Sequence, residues 1–131
     1  MSSIFSRIAA GEIPCHKVAE NDEFFAFLDI NPLVEGHTLV IPKIEIDYLF
    51  DIEDDVLGRM MQFAKMVACG LKKAIPCKRI GVTVIGLEVP HAHIHLIPIG
   101  KESDMYFGKP KLKKSAEELA QTAALIKEQL L

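Results

Sequence analysis

Read from its amino terminus, the chain changes hydrophobic period several times, and each change marks an element. SIFSRIAAG (residues 3–11) predicts a short helix, with Gly11 just past its end and Pro14 beyond. HKVAE (16–20) and EFFAFLDI (23–30) read as two strands with Asn21-Asp22 as the turn between them. NPLVEG (31–36) is a loop. HTLVIP (37–42) is a β-branched and apolar run of strand length, closed by Pro42. Residues 51–75 then shift to a helical period. Val56, Met60, Phe63, Val67 and Leu71 form a stripe that Leu57, Met61, Ala64 and Ala68 widen. Asp51 is the expected cap, with Asp54 three residues on, and Lys72 and Lys73 sit near the far end, as the helix dipole favours. The stripe is broad enough for two contacts, its own sheet and a second subunit.

RIGVTVIG (79–86) and HAHIHLIPI (91–99) return to strand character. Residues 109–114 form a basic loop containing Pro110. Ser115 with Glu118 makes a capping box that opens a last helix over 115–131. The order α-β-β-β-α-β-β-α, with short strands joined by tight turns, predicts an α+β fold: an antiparallel five-stranded sheet with helices packed on it.

Composition narrows the function classes. A chain of 131 residues that is half apolar and a quarter charged reads as one globular domain. A formal net charge of −3 gives no basic field for nucleic acid. No apolar run reaches the roughly 18 residues of a membrane span, and MSSIFSRIAAGEIP lacks the apolar core of a signal peptide. Cys15, Cys69 and Cys77 are odd in number and show no CxxC spacing, which favours reduced thiols and a cytoplasmic location.

Candidate chemistry concentrates in HAHIHLIP (91–98), which holds three of the five histidines. Residues two apart on a strand point the same way, so His91, His93 and His95 share a face. Ala92, Ile94, Leu96 and Pro98 share the other, which is the natural core side. The histidines are therefore expected to look into a solvent-reachable groove that ends near His95, where Ile97 and Ile99 take over the face. Neighbours on that face lie roughly 6.6 Å apart and the outer two about 13 Å apart. A zinc ion holds nitrogen at about 2.0–2.1 Å, so one ion does not easily take all three. Imidazole can instead attack an electrophilic centre or protonate a leaving group near neutral pH. A metal held by one HxH pair, and a surface strand that merely carries histidine, stand beside that reading.

HAHIHLI is an H-x-H-x-H run with apolar residues between and after the histidines, and here the chain resembles the histidine triad (HIT) family of nucleotide hydrolases and transferases. IFSRIAAGEIP, FAFLDINPLVEGHTLVIPK and HAHIHLIP occur in the family's order and at about its spacing, over residues 4–98. The loop and helix of 101–131 add nothing to the match. The resemblance implies a HIT-like sheet, continuous across a homodimer, and a purine nucleotide substrate, with no cofactor. It implies attack by His93 on the α-phosphate of a phosphoramidate or dinucleoside polyphosphate, through a nucleotidyl-histidine. His95 would contact phosphate and assist the leaving group, and His91 would orient His93, partly through its carbonyl. His37 falls where the family keeps another histidine. Asp29 matches the residue that binds ribose hydroxyls, and Ile4, Phe5, Ile8, Ile30 and Leu39 match positions lining the base pocket.

Two departures bear on function. Some members carry a CxxC in the opening helix that helps bind zinc; here Ser3 and Ser6 replace both cysteines, so no metal site is expected. The stretch before the triad often supplies amides and hydroxyls to phosphate. Here Gly86-Leu87-Glu88-Val89 stands instead, and residues 78–90 contain no Asn, Gln or Ser. A nucleotide-binding module with little turnover, and a metal-binding protein, are the readings that compete with a hydrolase.

Overall fold

The structure, a computed structural model, describes residues 2–130. It contains helix α1 (Ile4–Ala9), strands β1 (Lys17–Glu20), β2 (Phe24–Leu28) and β3 (Thr38–Pro42), helix α2 (Asp54–Ala74), strands β4 (Arg79–Thr83) and β5 (Ile94–Ile99), and helix α3 (Ala116–Glu128). The expected order of elements is therefore present. Two 3₁₀ turns, Leu49–Asp51 and Glu102–Met105, are added to it. The five strands form one antiparallel sheet in the order β1-β2-β3-β5-β4.

Alternation along the strands divides the core in two. Phe24, Ala26 and Leu28 of β2, Val40 of β3, and Ile94 and Leu96 of β5 face α2 and α3. Their odd-numbered neighbours Phe25, Phe27, Leu39 and Ile41 pack with Phe5 and Ile8 of α1 on the other face. All five residues of β2 and of β3 are buried as a result. A strand covered on both faces reads as continuously apolar, which is why FFAFL and TLVIP show no polar alternation.

Several boundaries differ from expectation, the start of α2 most clearly. Asp51 does not cap α2. It closes a 3₁₀ turn, its N–H donating to the Tyr48 carbonyl at 3.0 Å. Ile52 then turns extended to bury its side chain in the core, so the helix starts at Asp54 after Glu53, which makes no capping bond. On α2 the stripe is narrower than its apolar letters suggest: Met60, Phe63, Ala64, Val67 and Leu71 are buried, while Met61 is 50 % exposed.

The ladder of β5 begins only at Ile94, so His91 and His93 lie in the segment that leads into it and only His95 is on the strand. Pro42, at the end of β3, has no N–H with which to continue pairing. Its carbonyl is taken by the His91 ring. At the other end, Ser115 and Glu118 form the expected capping box. Helix α3 stops at Glu128, and Leu131, where it was expected to finish, lies outside the described residues.

The division of the α2 stripe can be measured. Leu71→Ala, at a fully buried position, should cost about 2–5 kcal/mol by loss of burial and creation of a cavity. Met61→Ala should stay within about 0.5 kcal/mol, as exposed positions do. Urea midpoints of the two variants should separate accordingly; equal midpoints would contradict the packing described.

Candidate active site

The site is assembled by the central strands. β3 pairs with β5 so that Leu39 lies opposite His95 and Thr38 opposite Leu96. Residue 37 thereby arrives beside residue 95. β2 pairs with β3 so that Leu28 lies opposite Thr38, which brings Asp29 alongside His37, and the Asp29 N–H donates to the His37 carbonyl at 3.0 Å. The loop between them is shaped locally. Asp29 Oδ1 accepts the Asn31 N–H at 2.8 Å, an Asx turn leading into Pro32. Gly36 takes a φ of +89° where a Cβ would press on Leu71, Ile75 and Pro98, so both its backbone conformation and its space call for glycine.

The ring nitrogens have partners whose chemistry decides where the protons are. His93 Nδ1 is 2.8 Å from the His91 carbonyl oxygen. A carbonyl only accepts, so Nδ1 carries the proton and Nε2 keeps its lone pair. His37 Nδ1 accepts the Leu33 N–H at 3.1 Å. The proton of neutral His37 is therefore on Nε2, from which it is donated to His95 Nδ1 at 2.9 Å. His95 is left with its proton on Nε2. His91 donates from Nε2 to the Pro42 carbonyl at 2.8 Å. The four rings thus form an ordered set, in which His93 offers a bare nitrogen and its neighbour His95 an N–H. Their ring centroids are 4.9 Å apart.

The histidines are more enclosed than the sequence implies: His91 is 0 %, His93 7 % and His95 7 % exposed. They are partly covered by Phe5 of α1 and Phe107 of the carboxy-terminal loop, and His93 and His95 reach the cleft left between. Burial, with the neighbouring rings adding to it, lowers the pKa of His37 to about 3 and that of His95 to about 4. Burial also lowers the pKa of His91. His37 is accordingly neutral, and its 3.8 Å approach to Asp29 is not an ion pair. Burial raises the pKa of Asp29, against the Asn31 N–H and the nearby His93 and Lys111.

Asp29, His37 and His95 present one ligand atom each within 4.8 Å of one another, a grouping suited in distance to a cation. The tautomers oppose it. Ligation by His37 Nε2 would force the ring proton onto Nδ1, against the Leu33 N–H. The cluster works as a hydrogen-bond relay.

In front of His93 and His95 opens a cleft of about 630 Å³, a size that suits a small organic ligand. Ile4, Phe5, Ile8, Ile30 and Leu39 all line it, together with Asp29 and His37. The Phe5 ring meets the His93 ring edge-on at 5.0 Å. His91 does not reach the cleft; it sits behind, against Ser3 and Pro42. Leu87 and Glu88 are at the rim, Leu87 with 89 % of its surface exposed.

Phe107 and Lys111 are among the lining residues that were not anticipated. Phe107 packs edge-on against His95 at 4.9 Å, and Lys111 is the one lysine or arginine among the cleft's described lining residues. Their loop is pinned by the Leu112 N–H to the Pro32 carbonyl at 2.9 Å. The basic run of residues 109–114 was the only signal in the sequence, and it does not say where the loop folds.

Comparison with known proteins agrees with this geometry. The HIT domain family matches residues 10–102. Adenosine 5′-monophosphoramidase HNT1 of Saccharomyces cerevisiae is 37% identical over 118 residues, covering 88% of this chain and 75% of that protein. Adenylylsulfatase HINT3 of Arabidopsis thaliana is 31% identical over 126 residues, covering 92% of this chain and 64% of that protein. The crystal structure of a Hit-like protein involved in cell-cycle regulation from Bartonella henselae superposes with a TM-score of 0.84 at 31% identity, over 98% of this chain and 96% of that one.

The lowered histidine pKa values carry a pH dependence. In the unfolded chain these rings take protons near pH 6.5, and in the folded chain only near 4 and 3. The unfolded state therefore binds more protons below about pH 6.5, and stability falls with pH through the interval down to about 4. Urea midpoints should decline from pH 7 to pH 5, less steeply in His95→Gln. NMR signals of His37 and His95 should hold their neutral-form positions at pH 5; titration of either near 6.5 would refute the relay.

Proposed function

The chain belongs to the HIT domain family, and from that membership and the ring geometry we propose that it is a nucleotide hydrolase acting at the α-phosphate through a nucleotidyl-histidine. The observation that carries the reading is the bare Nε2 of His93, its opposite nitrogen tied to the His91 carbonyl, beside the proton-bearing Nε2 of His95. Accepting a proton from Nδ1, the carbonyl makes the ring more electron-rich and a better nucleophile. His93 Nε2 attacks phosphorus, and the leaving group departs with the bonding pair. His95 donates its N–H to the phosphoryl region, where charge grows in the transition state. Water then attacks the same phosphorus, returning the pair to His93 and releasing a nucleoside monophosphate.

Binding is assigned to the rest of the cleft. Asp29 Oδ1 is engaged by Asn31, so Oδ2 takes a ribose hydroxyl as an acceptor. The base lies against Ile4, Phe5, Ile8, Ile30 and Leu39. The leaving-group side carries Leu87 and Glu88, which offer phosphate no donor from their side chains, so small or amine leaving groups suit it better than long polyphosphates. An adenosine 5′-monophosphoramidase among the relatives supports that choice. A homodimer joined along β4, an edge strand with exposed Val82, belongs to the same proposal. A nucleotide-binding protein with little turnover is the second reading, favoured by Glu88 facing an incoming anion.

Turnover separates them. The wild type should release AMP from adenosine 5′-monophosphoramidate and from an adenylyl-lysine analogue faster than from diadenosine tetraphosphate. His93→Ala should lower kcat by about 10³-fold or more, the scale of losing a nucleophile, with AMP binding within a few-fold of wild type. Asp29→Asn should raise KM roughly tenfold, the loss of a charge-assisted hydrogen bond. Equal rates for wild type and His93→Ala would end the hydrolase reading.

A further inference from the structure

The start of α1 is connected to the triad by a path that ligand contact does not explain. Ser3 is buried, and its Oγ accepts the Ser6 N–H at 3.0 Å, capping the helix. The same oxygen lies 2.8 Å from His91 Nδ1. Because His91 donates from Nε2 to Pro42, Nδ1 is the accepting nitrogen, and the Ser3 hydroxyl must give it a proton. Glu45 braces the same turn. Its Oε1 takes the Ser3 N–H at 2.5 Å and the Ser6 hydroxyl at 2.7 Å. Those bonds hold the Glu45 pKa down at about 2, so the carboxylate stays an acceptor. Ser6 Oγ, 3.3 Å from Nδ1, has its proton committed to Glu45 and does not compete.

We infer that Ser3, oriented by Glu45, is a positioning residue for the nucleophile: it holds in place the His91 ring whose tautomer Pro42 sets, and the His91 carbonyl in turn orients His93. This rests on the assignment of His93 above and extends it to residues that touch no substrate. It also joins two parts of the site. The helix capped by Ser3 carries Ile4, Phe5 and Ile8 into the cleft, so the base pocket and the support of His93 move as one body.

Ser3→Gly is the decisive variant, because glycine caps a helix at a cost of only a few tenths of a kcal/mol relative to serine but has no hydroxyl. With adenosine 5′-monophosphoramidate, kcat should fall about tenfold while KM stays within about threefold, the pattern of a misaligned reacting group. Ser3→Thr, which keeps the hydroxyl, should recover kcat to within about threefold. Glu45→Ala, at an exposed position, should fold normally and lower kcat about threefold. In protein labelled with ¹⁵N-histidine, His93 should be the Nδ1–H tautomer in the wild type and a mixture in Ser3→Gly.

A Ser3→Gly protein whose kcat is within twofold of wild type, or in which KM alone rises, would reduce Ser3 to a helix cap. If the wild type releases no nucleotide at all, the hydrolase reading fails separately and the spectra still decide. A His93 tautomer unchanged by Ser3→Gly overturns the positioning role, and a mixed one upholds it. If Ser3→Gly does not fold, the same comparison is made on Glu45→Ala.

Discussion

The hydrogen bond from the His93 ring to the His91 carbonyl is the interaction on which the site turns, because its two ends cannot exchange roles. A backbone carbonyl has no proton to give, so the ring nitrogen facing it must carry one, and in the neutral ring the opposite nitrogen is the bare one. The same one-way logic recurs through the set. The Pro42 carbonyl fixes His91, the Leu33 N–H fixes His37, and His37 then fixes His95. Every chain of assignment ends on a main-chain group held by a strand or a closed loop. The protonation pattern is therefore anchored on the backbone, with the proposed support of Ser3 and Glu45 added behind His91.

That pattern depends on keeping water and charge out. An imidazole in water exchanges its proton freely; one enclosed by apolar surface disfavours the charged form. The sheet supplies the enclosure because β2, β3 and β5 are covered on both faces. Phe5 closes over His93 from α1, and Phe107 over His95 from the far loop. His37 and His95 also stand at the two central strands, where pairing on both sides restrains the backbone most. Catalytic groups placed on such elements keep their geometry better than groups carried on mobile loops.

The shared face of the three histidines was legible in HAHIHLIP, although two of them precede the strand. The Phe5 ring meets both the His91 and the His93 ring, so the two keep to the α1 side although the chain bends at His91 before the ladder starts. The start of α2 was not legible, since the burial of Ile52 decides it and a local capping pattern at Asp51 cannot register that. Nor was the wall formed by Phe107 and Lys111. Its position depends on a bond between Leu112 and Pro32, which lie far apart in the chain, and a loop's letters do not encode its docking. Ser3 was visible only as a serine where relatives can have cysteine. Its contact with His91, 88 residues away, follows from α1 packing across the sheet.

Charge in the cleft is a separate matter from charge on the rings, and it bears on what the site accepts. The lining acids Asp29 and Glu88 carry two negative charges against the single positive charge of Lys111. His37 and His95, being neutral, add no positive charge to the wall. A long polyphosphate would bring several more negative charges to a surface unable to neutralise them. A phosphoramidate brings little charge beyond its α-phosphate, which in the proposed reaction the His95 N–H would meet by hydrogen bonding. An amine leaving group that becomes cationic would find Glu88 complementary. Under the proposed reaction, the burial that keeps His37 and His95 neutral thus also withholds the positive charge a polyphosphate would need, so one feature of the fold would bear on both the protonation pattern and the choice of substrate.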